Sequence, residues 1–298
     1  MSLAVCVAAH GRPERLRALL DALAAQERPA EEVVVCAGDA ASRAVAATHP
    51  LGPRLVRAAS TAPSAQRNAA WRAASARLVA FTDDDCRPAP GWLAALERAA
   101  ADGAVLQGRT LPDPAEGHLL RERLARSLTI EPPDPWGQTA NIAYPRAVLE
   151  AVGGLDEAFP APAGEDGDLL HRALAAGARL VAVPGAVVHH AVHVPSLGAA
   201  VRDAGRFGHL ALAVRRHPAL RRRLVLRVFW KPAHAWLLAA LVWRPAALGW
   251  AWTTRRSYGP SWRGRARSWS DLPLRLVLDV AELAACARGA VLHRTPFL

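Results

Sequence analysis

The stretch Phe81-Thr82-Asp83-Asp84-Asp85 decides which fold this chain is expected to adopt. It follows the apolar residues 78–80, so three carboxylates come at the end of a predicted buried strand. Neighbouring carboxylates repel one another and lose hydration on burial, and a bound cation offsets both costs. Oxygen ligands suit Mg²⁺ or Mn²⁺, and such a cation keeps open positions for phosphate oxygens. The stretch therefore predicts a metal–diphosphate site at the edge of a sheet, with a solvated acidic turn as the alternative.

Apolar runs of strand length alternate with helical patterns through the first third of the chain. The predicted strands cover residues 3–9, 32–37 and 78–82, and the predicted helices cover residues 13–26, 64–76 and 92–101. This alternation indicates an α/β protein with a doubly wound, mostly parallel sheet. Ligands of such sheets bind outside the carboxyl ends of the strands. Because residues 8–12 and the three aspartates both follow predicted strands, we expect them to meet at one edge of the sheet.

A second acidic cluster, Gly164-Glu165-Asp166-Gly167-Asp168, precedes a helical pattern over residues 169–176. The first turn of a helix favours negative charge, so ordinary helix capping is one explanation. The other explanation is catalytic, with one carboxylate acting as general base towards a substrate hydroxyl. The sequence pattern leaves both open.

Length and composition limit the classes of protein to which this chain can belong. Its 298 residues allow one large domain with an appendage, and 52% hydrophobic residues allow a sizeable core. The four cysteines are scattered without a Cys-x-x-Cys pair, which favours a reducing compartment over a disulfide framework or zinc site. The N-terminus passes directly into a predicted strand without a basic segment, so no secretory signal is expected.

Charge divides the chain near residue 200. Residues 1–201 carry a net charge of −3, whereas residues 202–298 carry +14. Seven of the ten tryptophans also lie in the second part. We therefore predict two domains, one at residues 1–200 and a basic, tryptophan-rich, helical one at residues 201–298.

The basic region predicts an association with a membrane surface. Trp236, Trp243 and Trp250 recur every seven residues, a spacing that places them on one helical face. Two prolines, at positions 232 and 245, interrupt any continuous helix here. The charge-free run between Lys231 and Arg244 is 12 residues, and a spanning helix needs roughly 20. An interfacial helix on anionic lipids therefore fits better, and packing against the first domain is the alternative. Nucleic acid is not an expected partner, because the region carries no recognisable nucleic-acid motif.

Several motifs along residues 3 to about 200 together resemble one known family. They are, in order, the first strand with Pro13, Glu14 and Arg15, the second strand, Gln66-Arg67-Asn68, the aspartate stretch with Pro90-Gly91-Trp92, Asn141 and Arg146 with Gly153-Gly154-Leu155-Asp156-Glu157, Glu165-Asp166 with Asp168, and His189-His190. These residues resemble a family 2 glycosyltransferase with the GT-A fold. The resemblance implies a Rossmann-like α/β catalytic domain, here followed by a helical C-terminal appendage.

The resemblance also implies roles for particular residues. The implied catalytic residues are Asp166, as the base, and Glu165. The implied ligands of a divalent cation, Mn²⁺ or Mg²⁺, are Asp85, Asp83 and His190. The implied donor-binding residues are Ala8, Arg12, Asp39, Arg67, Asp83 and Asp84. The implied acceptor-binding residues are Trp136, Asn141 and Asp168.

The implied reaction moves a sugar from a nucleotide-diphosphate sugar to an acceptor hydroxyl. A single base opposite the leaving group predicts inversion of the anomeric configuration. Nucleotidyl transfer could use a similar metal–diphosphate site, but the Glu165-Asp166 pair favours glycosyl transfer. A basic region at the bilayer suggests a glycan or lipid-linked acceptor of the cell envelope. The expected location is the cytoplasmic face of the cell membrane, with a soluble cytoplasmic protein as the alternative.

One segment departs from the family pattern. After the second strand, members usually carry an Asp-Asp-Gly-Ser-like sequence that binds the nucleobase, whereas this chain has Cys36-Ala37-Gly38-Asp39-Ala40. Ala37 takes the usual aspartate position, and Asp39 is the nearest substitute. The alternative function is therefore a catalytically inactive or unusual-donor sugar-nucleotide-binding membrane protein.

Overall fold

The computed structural model describes residues 1–258 and 261–298, which form two compact units. The first unit contains Met1–His118 and Arg126–Val192, and the second contains Leu119–Ala125 and His193–Leu298. Whether the chain forms two domains that divide near residue 200 stays a prediction.

The first unit alternates strands and helices, as the sequence pattern predicts. Its strands are β1 (Leu3–Ala9), β2 (Glu32–Ala37), β3 (Arg54–Val56), β4 (Leu78–Asp83), β5 (Cys86–Pro88), β6 (Ala104–Pro112), β7 (Ile142–Pro145) and β8 (Arg179–His190). Its helices are α1 (Pro13–Ala24), α2 (Ala40–Thr48), α3 (Pro63–Ala73), α4 (Trp92–Ala99), α5 (Arg146–Val152) and α6 (Glu165–Ala175), and a 3₁₀ helix covers Pro114–Arg121. The predicted α/β class is confirmed.

The strands form one mixed sheet in the order β3-β2-β1-β4-β7-β6-β8-β5. The pairs β1–β2, β1–β4, β2–β3 and β6–β8 are parallel, and β7 joins its two neighbours in antiparallel fashion. Helices cover both faces of the central strands: Leu16 and Leu20 of α1 belong to one core, and Trp71 of α3 to the other. Burial on both faces explains why β1 is apolar throughout rather than alternating.

The register of the central strands aligns their carboxyl ends. Ala8 of β1 lies beside Cys36 of β2 on one side and beside Asp83 of β4 on the other. The chain leaves β1 through Gly11, whose φ of +70° suits glycine, and enters α1 directly. The three aspartates and residues 8–12 therefore meet at one edge of the sheet, as expected.

The second unit is helical, which confirms the predicted helical C-terminal region. Its α-helices are α7 (Leu197–Ala204), α8 (Leu210–Arg216), α9 (Pro232–Val242), α10 (Ala246–Thr254), α11 (Trp262–Ser270) and α12 (Leu272–Leu292), with 3₁₀ helices at Gly205–His209 and Pro218–Arg223. Within residues 1–258 and 261–298, no helix combines the length and apolar character needed to cross a bilayer.

The three tryptophans do not share one helical face, and the interruption expected at Pro245 is present. The helix ends at Val242 and restarts at Ala246 after Pro245, so α9 and α10 form a hairpin. Trp250 is buried, and its Nε1–H donates to Asp279 Oδ2 at 3.0 Å. Trp236 packs on Gly249, where a Cβ would lie 2.7 Å from its ring. Of these three tryptophans, Trp243, in the connection, is the most exposed.

Candidate active site

Two buried aspartates meet a half-exposed arginine just beyond β4. Asp84 Oδ1 lies 2.6 Å from Arg12 Nη2, and Asp85 Oδ2 accepts a hydrogen bond from Arg12 Nη1. The backbone N–H of His10 donates to Asp84 Oδ2 at 3.0 Å. Burial raises the pKa of Asp84 to about 7, although the charge of Arg12 opposes the rise. The β1 turn and the aspartate stretch thus form one charged group rather than a solvated turn.

Three side chains that could hold a metal lie at the next pair of strands. Cys86 of β5 is opposite His190 of β8, and His190 Nε2 lies 3.5 Å from Asp85 Oδ1. One ligand atom from each of Asp85, Cys86 and His190 falls within 4.8 Å of the others. Burial raises the pKa of the Cys86 thiol well above its usual value, which keeps it protonated and a poor ligand. Asp85 and His190 are therefore the residues that fit Mn²⁺ or Mg²⁺.

Asp83 points into a different cluster, built around Arg67 of α3. Arg67 Nη2 lies 2.7 Å from Asp83 Oδ1, while Nη1 lies 3.3 Å from Glu165 Oε1 and 3.8 Å from Asp166 Oδ1. The predicted catalytic pair and Asp83 thus share one buried guanidinium. Among the residues that the structure describes, the metal-capable group contains Asp85 but not Asp83, so a metal role for Asp83 stays a prediction.

The Glu165–Asp166 pair has the electrostatics of a proton acceptor. Burial raises the pKa of Asp166, and burial together with the neighbouring Asp166 charge raises the pKa of Glu165 to about 8. Thr139 donates its backbone N–H to Asp166 Oδ2 at 3.0 Å and its hydroxyl to Asp166 Oδ1 at 3.1 Å. A carboxylate that is held in place and has a raised pKa suits general-base catalysis. The contact with Arg67 goes beyond what helix capping requires.

The predicted acceptor residues have different surroundings. Trp136 lies against the first turn of α6, where a Cβ on Gly167 would be 3.5 Å from its ring, so it stands beside Asp166. Asn141 is fully buried; its amide donates to backbone carbonyls of β6 and β8 at 2.9 and 2.8 Å and accepts from Trp92 Nε1 at 2.8 Å. The structure therefore gives Asn141 an internal hydrogen-bonding role, and its acceptor role stays a prediction.

Asp168 is also buried inside the first unit. Its Oδ2 accepts a hydrogen bond from Arg172 Nε at 2.8 Å. Arg172 in turn donates to the backbone carbonyls of Val152 and Gly154, at 2.7 and 2.8 Å. Asp168 thereby fixes α6 to the end of α5.

Asp39 closes the turn between β2 and α2. Its carboxylate accepts the backbone N–H of Gly11 at 2.7 Å, the backbone N–H of Ser42 at 2.9 Å and the Ser42 hydroxyl at 2.7 Å. Partial burial opposes ionisation, but these hydrogen bonds outweigh it and lower the pKa of Asp39 to about 2. Asp39 is thus an N-cap that ties the β1 and β2 turns together.

A cleft of about 200 Å³ opens beside this turn, at the carboxyl end of β2. Its lining includes Ala37, Gly38, Arg43, Arg57 and Gln66. A Cβ on Gly38 would lie 2.5 Å from Gln66 Nε2, so a side chain at this position would displace Gln66. In the described part of the chain, the side chains that line the cleft are neutral or basic, which is the structural consequence of the unusual 36–40 segment.

Two residues of the site carry no motif that the sequence analysis could have used. Thr139, which orients Asp166, lies in a loop of irregular sequence before β7. Cys86 enters the metal-capable group only because β5 pairs with β8. Both are positioned by tertiary contacts that periodicity does not reveal.

Comparison with known proteins agrees with this architecture. Residues 4–150 match the profile of the family described as glycosyl transferase family 2. No protein of curated function matches the chain.

Solved structures share the fold at low sequence identity. S. aureus TarS 1-349 in complex with UDP-GlcNAc superposes with a TM-score of 0.52 at 15% identity, covering 99% of this chain and 93% of TarS. Glucosyl-3-phosphoglycerate synthase from Mycobacterium tuberculosis, with Mn²⁺, UDP and glucosyl-3-phosphoglycerate, gives a TM-score of 0.50 at 15% identity, covering 72% of this chain and 79% of the synthase. Residues 4–150 therefore belong to glycosyltransferase family 2, and the chain has the GT-A fold.

Proposed function

We propose that this glycosyltransferase moves a sugar from a nucleotide-diphosphate donor to an acceptor hydroxyl with inversion, assisted by a divalent cation. The observation that carries the proposal is the pairing of two charged clusters at one strand end. One contains Asp84, Asp85 and His190, and the other contains Glu165 and Asp166. S. aureus TarS binds UDP-GlcNAc and the mycobacterial synthase binds UDP with Mn²⁺, which supports the same donor class here.

Asp85 and His190 are the residues proposed to hold Mn²⁺ or Mg²⁺. When bound, such a cation neutralises the diphosphate and makes it a better leaving group. Arg12 and Arg67 supply permanent positive charge on either side of the strand end, where donor phosphates would be received.

Asp166 is proposed as the base that takes the proton of the acceptor hydroxyl. Thr139 fixes the orientation of its carboxylate, and burial raises its pKa, which makes it a stronger proton acceptor than an exposed aspartate. Glu165 shares Arg67 with it and helps to keep the pair basic. A single base that acts opposite the leaving group gives direct displacement, and the anomeric configuration inverts. Trp136, beside the first turn of α6, is proposed to contact the acceptor.

The cleft at the end of β2 is proposed to receive the nucleobase. Its arginines and Gln66 present hydrogen-bond donors, in place of the aspartate usual at Ala37. Donors favour a base edge rich in acceptors, so the nucleobase is not assumed to be uracil. The alternative of an inactive or unusual-donor protein rests on this same cleft.

A donor screen tests the function directly. UDP-, GDP- and dTDP-sugars would be assayed with Mn²⁺ for binding and for slow hydrolysis, using the wild type, Asp85→Asn, Asp166→Asn and the exposed control Asp102→Asn. We expect one donor to bind, with metal-dependent binding lost in Asp85→Asn and only turnover lost in Asp166→Asn. The control should behave as wild type. Folded wild-type protein that binds none of the donors would contradict the proposal and favour the inactive alternative.

The α9–α10 hairpin is proposed to place the enzyme on an anionic membrane surface, at the cytoplasmic face, where a lipid-linked or cell-envelope acceptor would be found. Its tip exposes apolar side chains: Leu241 is 80% exposed, Val242 91% and Leu248 74%. Residues 204–270 contain 14 basic and no acidic side chains. Apolar tips flanked by positive charge suit the boundary between headgroups and acyl chains.

Vesicle sedimentation tests this placement. Vesicles of phosphatidylglycerol and phosphatidylcholine would be compared with phosphatidylcholine alone, for the wild type, Val242→Asp and the control Val194→Asp, which lies outside the hairpin. We expect binding to the anionic vesicles that is weakened in Val242→Asp only. Equal vesicle binding by all three proteins would contradict a membrane role for the tip. The same role would be contradicted if the wild type bound no vesicles but formed a dimer at high concentration, and Val242→Asp abolished that dimer.

A further inference from the structure

We propose that Arg12 is a built-in counter-ion that competes with the divalent cation for Asp85, so that cation binding depends on a donor diphosphate that takes the guanidinium over. This inference rests on the proposed function, because it concerns how the same site is filled. The two terminal nitrogens of Arg12 contact two neighbouring carboxylates, Asp84 and Asp85. The carboxylate that fits the metal is therefore already neutralised by a residue of the chain itself.

Arg12 is the most exposed member of this group. Its side chain is 40% exposed, whereas those of Asp84 and Asp85 are 1% and 4% exposed. The Arg12 backbone is fixed, since its carbonyl accepts the N–H of Leu16 at 2.9 Å in the first turn of α1. Movement of the side chain alone can thus release Asp85 while Asp84 keeps its hydrogen bond from His10.

Charge decides when this release is favourable. A guanidinium stays protonated at any physiological pH, so it must be displaced rather than deprotonated. A divalent cation on Asp85 would repel Arg12, and the guanidinium would then keep Asp84 but lose one of its two carboxylate partners. A diphosphate offers the guanidinium a bidentate oxygen partner of the same kind as a carboxylate. Cation and diphosphate should therefore bind with positive coupling, and Arg12 should be the source of much of it.

Removing Arg12 separates this role from simple donor binding. In Arg12→Gln, Mn²⁺ should bind the donor-free protein more tightly by roughly 10-fold, within the usual range of coupling between two sites. The same variant should bind UDP or GDP more weakly in the presence of Mn²⁺. A residue that only contacts donor would weaken nucleotide binding without changing the affinity for Mn²⁺ alone.

The experiment is titration of Mn²⁺, followed by the electron paramagnetic resonance of the free ion, with and without saturating UDP or GDP. Wild type, Arg12→Gln, Arg12→Lys and the exposed α1 control Arg17→Gln would be compared. Lysine keeps the positive charge but lacks the paired N–H donors of the guanidinium, so the Mn²⁺ affinity of Arg12→Lys should lie between those of the wild type and Arg12→Gln. The affinity of Arg17→Gln should match that of the wild type. If the Mn²⁺ affinity of Arg12→Gln is unchanged or lower, the inference about Arg12 is overturned while the proposed metal site stands. Failure of all four proteins to bind Mn²⁺ overturns the proposed metal site as well.

Discussion

Replacing Arg67 by methionine should destabilise the first unit by about 3–5 kcal/mol at alkaline pH, the usual cost of removing one partner of a buried ion pair. Arg67 is only 7% exposed and lies 2.7 to 3.8 Å from carboxylate oxygens of Asp83, Glu165 and Asp166. Methionine preserves most of the apolar stem but removes the one guanidinium that these three groups share. The buried carboxylates then repel one another in a poorly hydrated site.

The cost should depend on pH in a defined direction. Burial raises the pKa of Glu165 to about 8 and raises that of Asp166, whereas the ordinary value for glutamate is 4.5. Between these values the folded protein binds protons that the unfolded chain has released, so stability falls as pH rises. Arg67 opposes this rise in both pKa values, so its removal should extend the fall in stability to higher pH. The loss of stability should therefore be small near pH 5 and largest near pH 9.

Urea denaturation at about pH 5 and about pH 9 measures both effects. Arg72→Met is the matched control, because Arg72 lies on the same helix and pairs with Glu157 at 3.7 Å with both side chains about half exposed. An exposed pair contributes roughly 0–1 kcal/mol, so the control should lose little at either pH. A loss in Arg67→Met that is the same at both pH values, or no larger than that of the control, would refute the electrostatic explanation.

Three further substitutions test single side chains. Thr139→Val keeps the shape of the side chain but removes the hydroxyl that donates to Asp166. A hydrogen bond to a charged group contributes about 1.5–3 kcal/mol. The value of kcat on the acidic limb of its pH profile should therefore fall roughly 10- to 100-fold, while the alkaline plateau is unchanged. Asp39→Ala should lose about 1 kcal/mol of stability at neutral pH, and the difference from wild type should shrink as pH falls through about 2, because the pKa of Asp39 is lowered to that value. Asn141→Ala should lower thermal stability, because it removes the hydrogen-bond partner of Trp92 and of two backbone carbonyls. An increase in the KM for the acceptor without a loss of stability would instead support the acceptor role.

The edge of the sheet was predictable because it follows from strand periodicity. An apolar run that ends in charged residues places those residues at a strand end, and parallel strands bring such ends together. Their division into two clusters also follows the strand: neighbouring side chains point to opposite faces, which sends Asp83 to Arg67 and Asp84 to Arg12. This alternation could have been used to separate Asp83 from the metal-side residues.

The remaining features depend on contacts that a linear pattern does not encode. The seven-residue spacing of the tryptophans assumes one continuous helix, and Pro245 restarts the helix in a new direction, so the spacing loses its meaning there. Asn141 and Asp168 have residue types that suit ligand binding, yet their partners are Trp92 and Arg172 in the interior. A buried polar group needs such partners whether or not a ligand exists.

The charge of the site links the proposed metal to the two arginines. Five carboxyl groups, those of Asp83, Asp84, Asp85, Glu165 and Asp166, converge on Arg12 and Arg67. Two guanidinium groups cannot neutralise five carboxylates, and the excess negative charge explains why the pKa values of Asp84, Glu165 and Asp166 are raised in addition to the effect of burial. A dianionic diphosphate entering this site would meet repulsion unless positive charge entered with it. The resting site thus holds Arg12 against Asp85, where the proposed reaction requires a cation, and the exchange of guanidinium for cation is the step that an incoming diphosphate would favour.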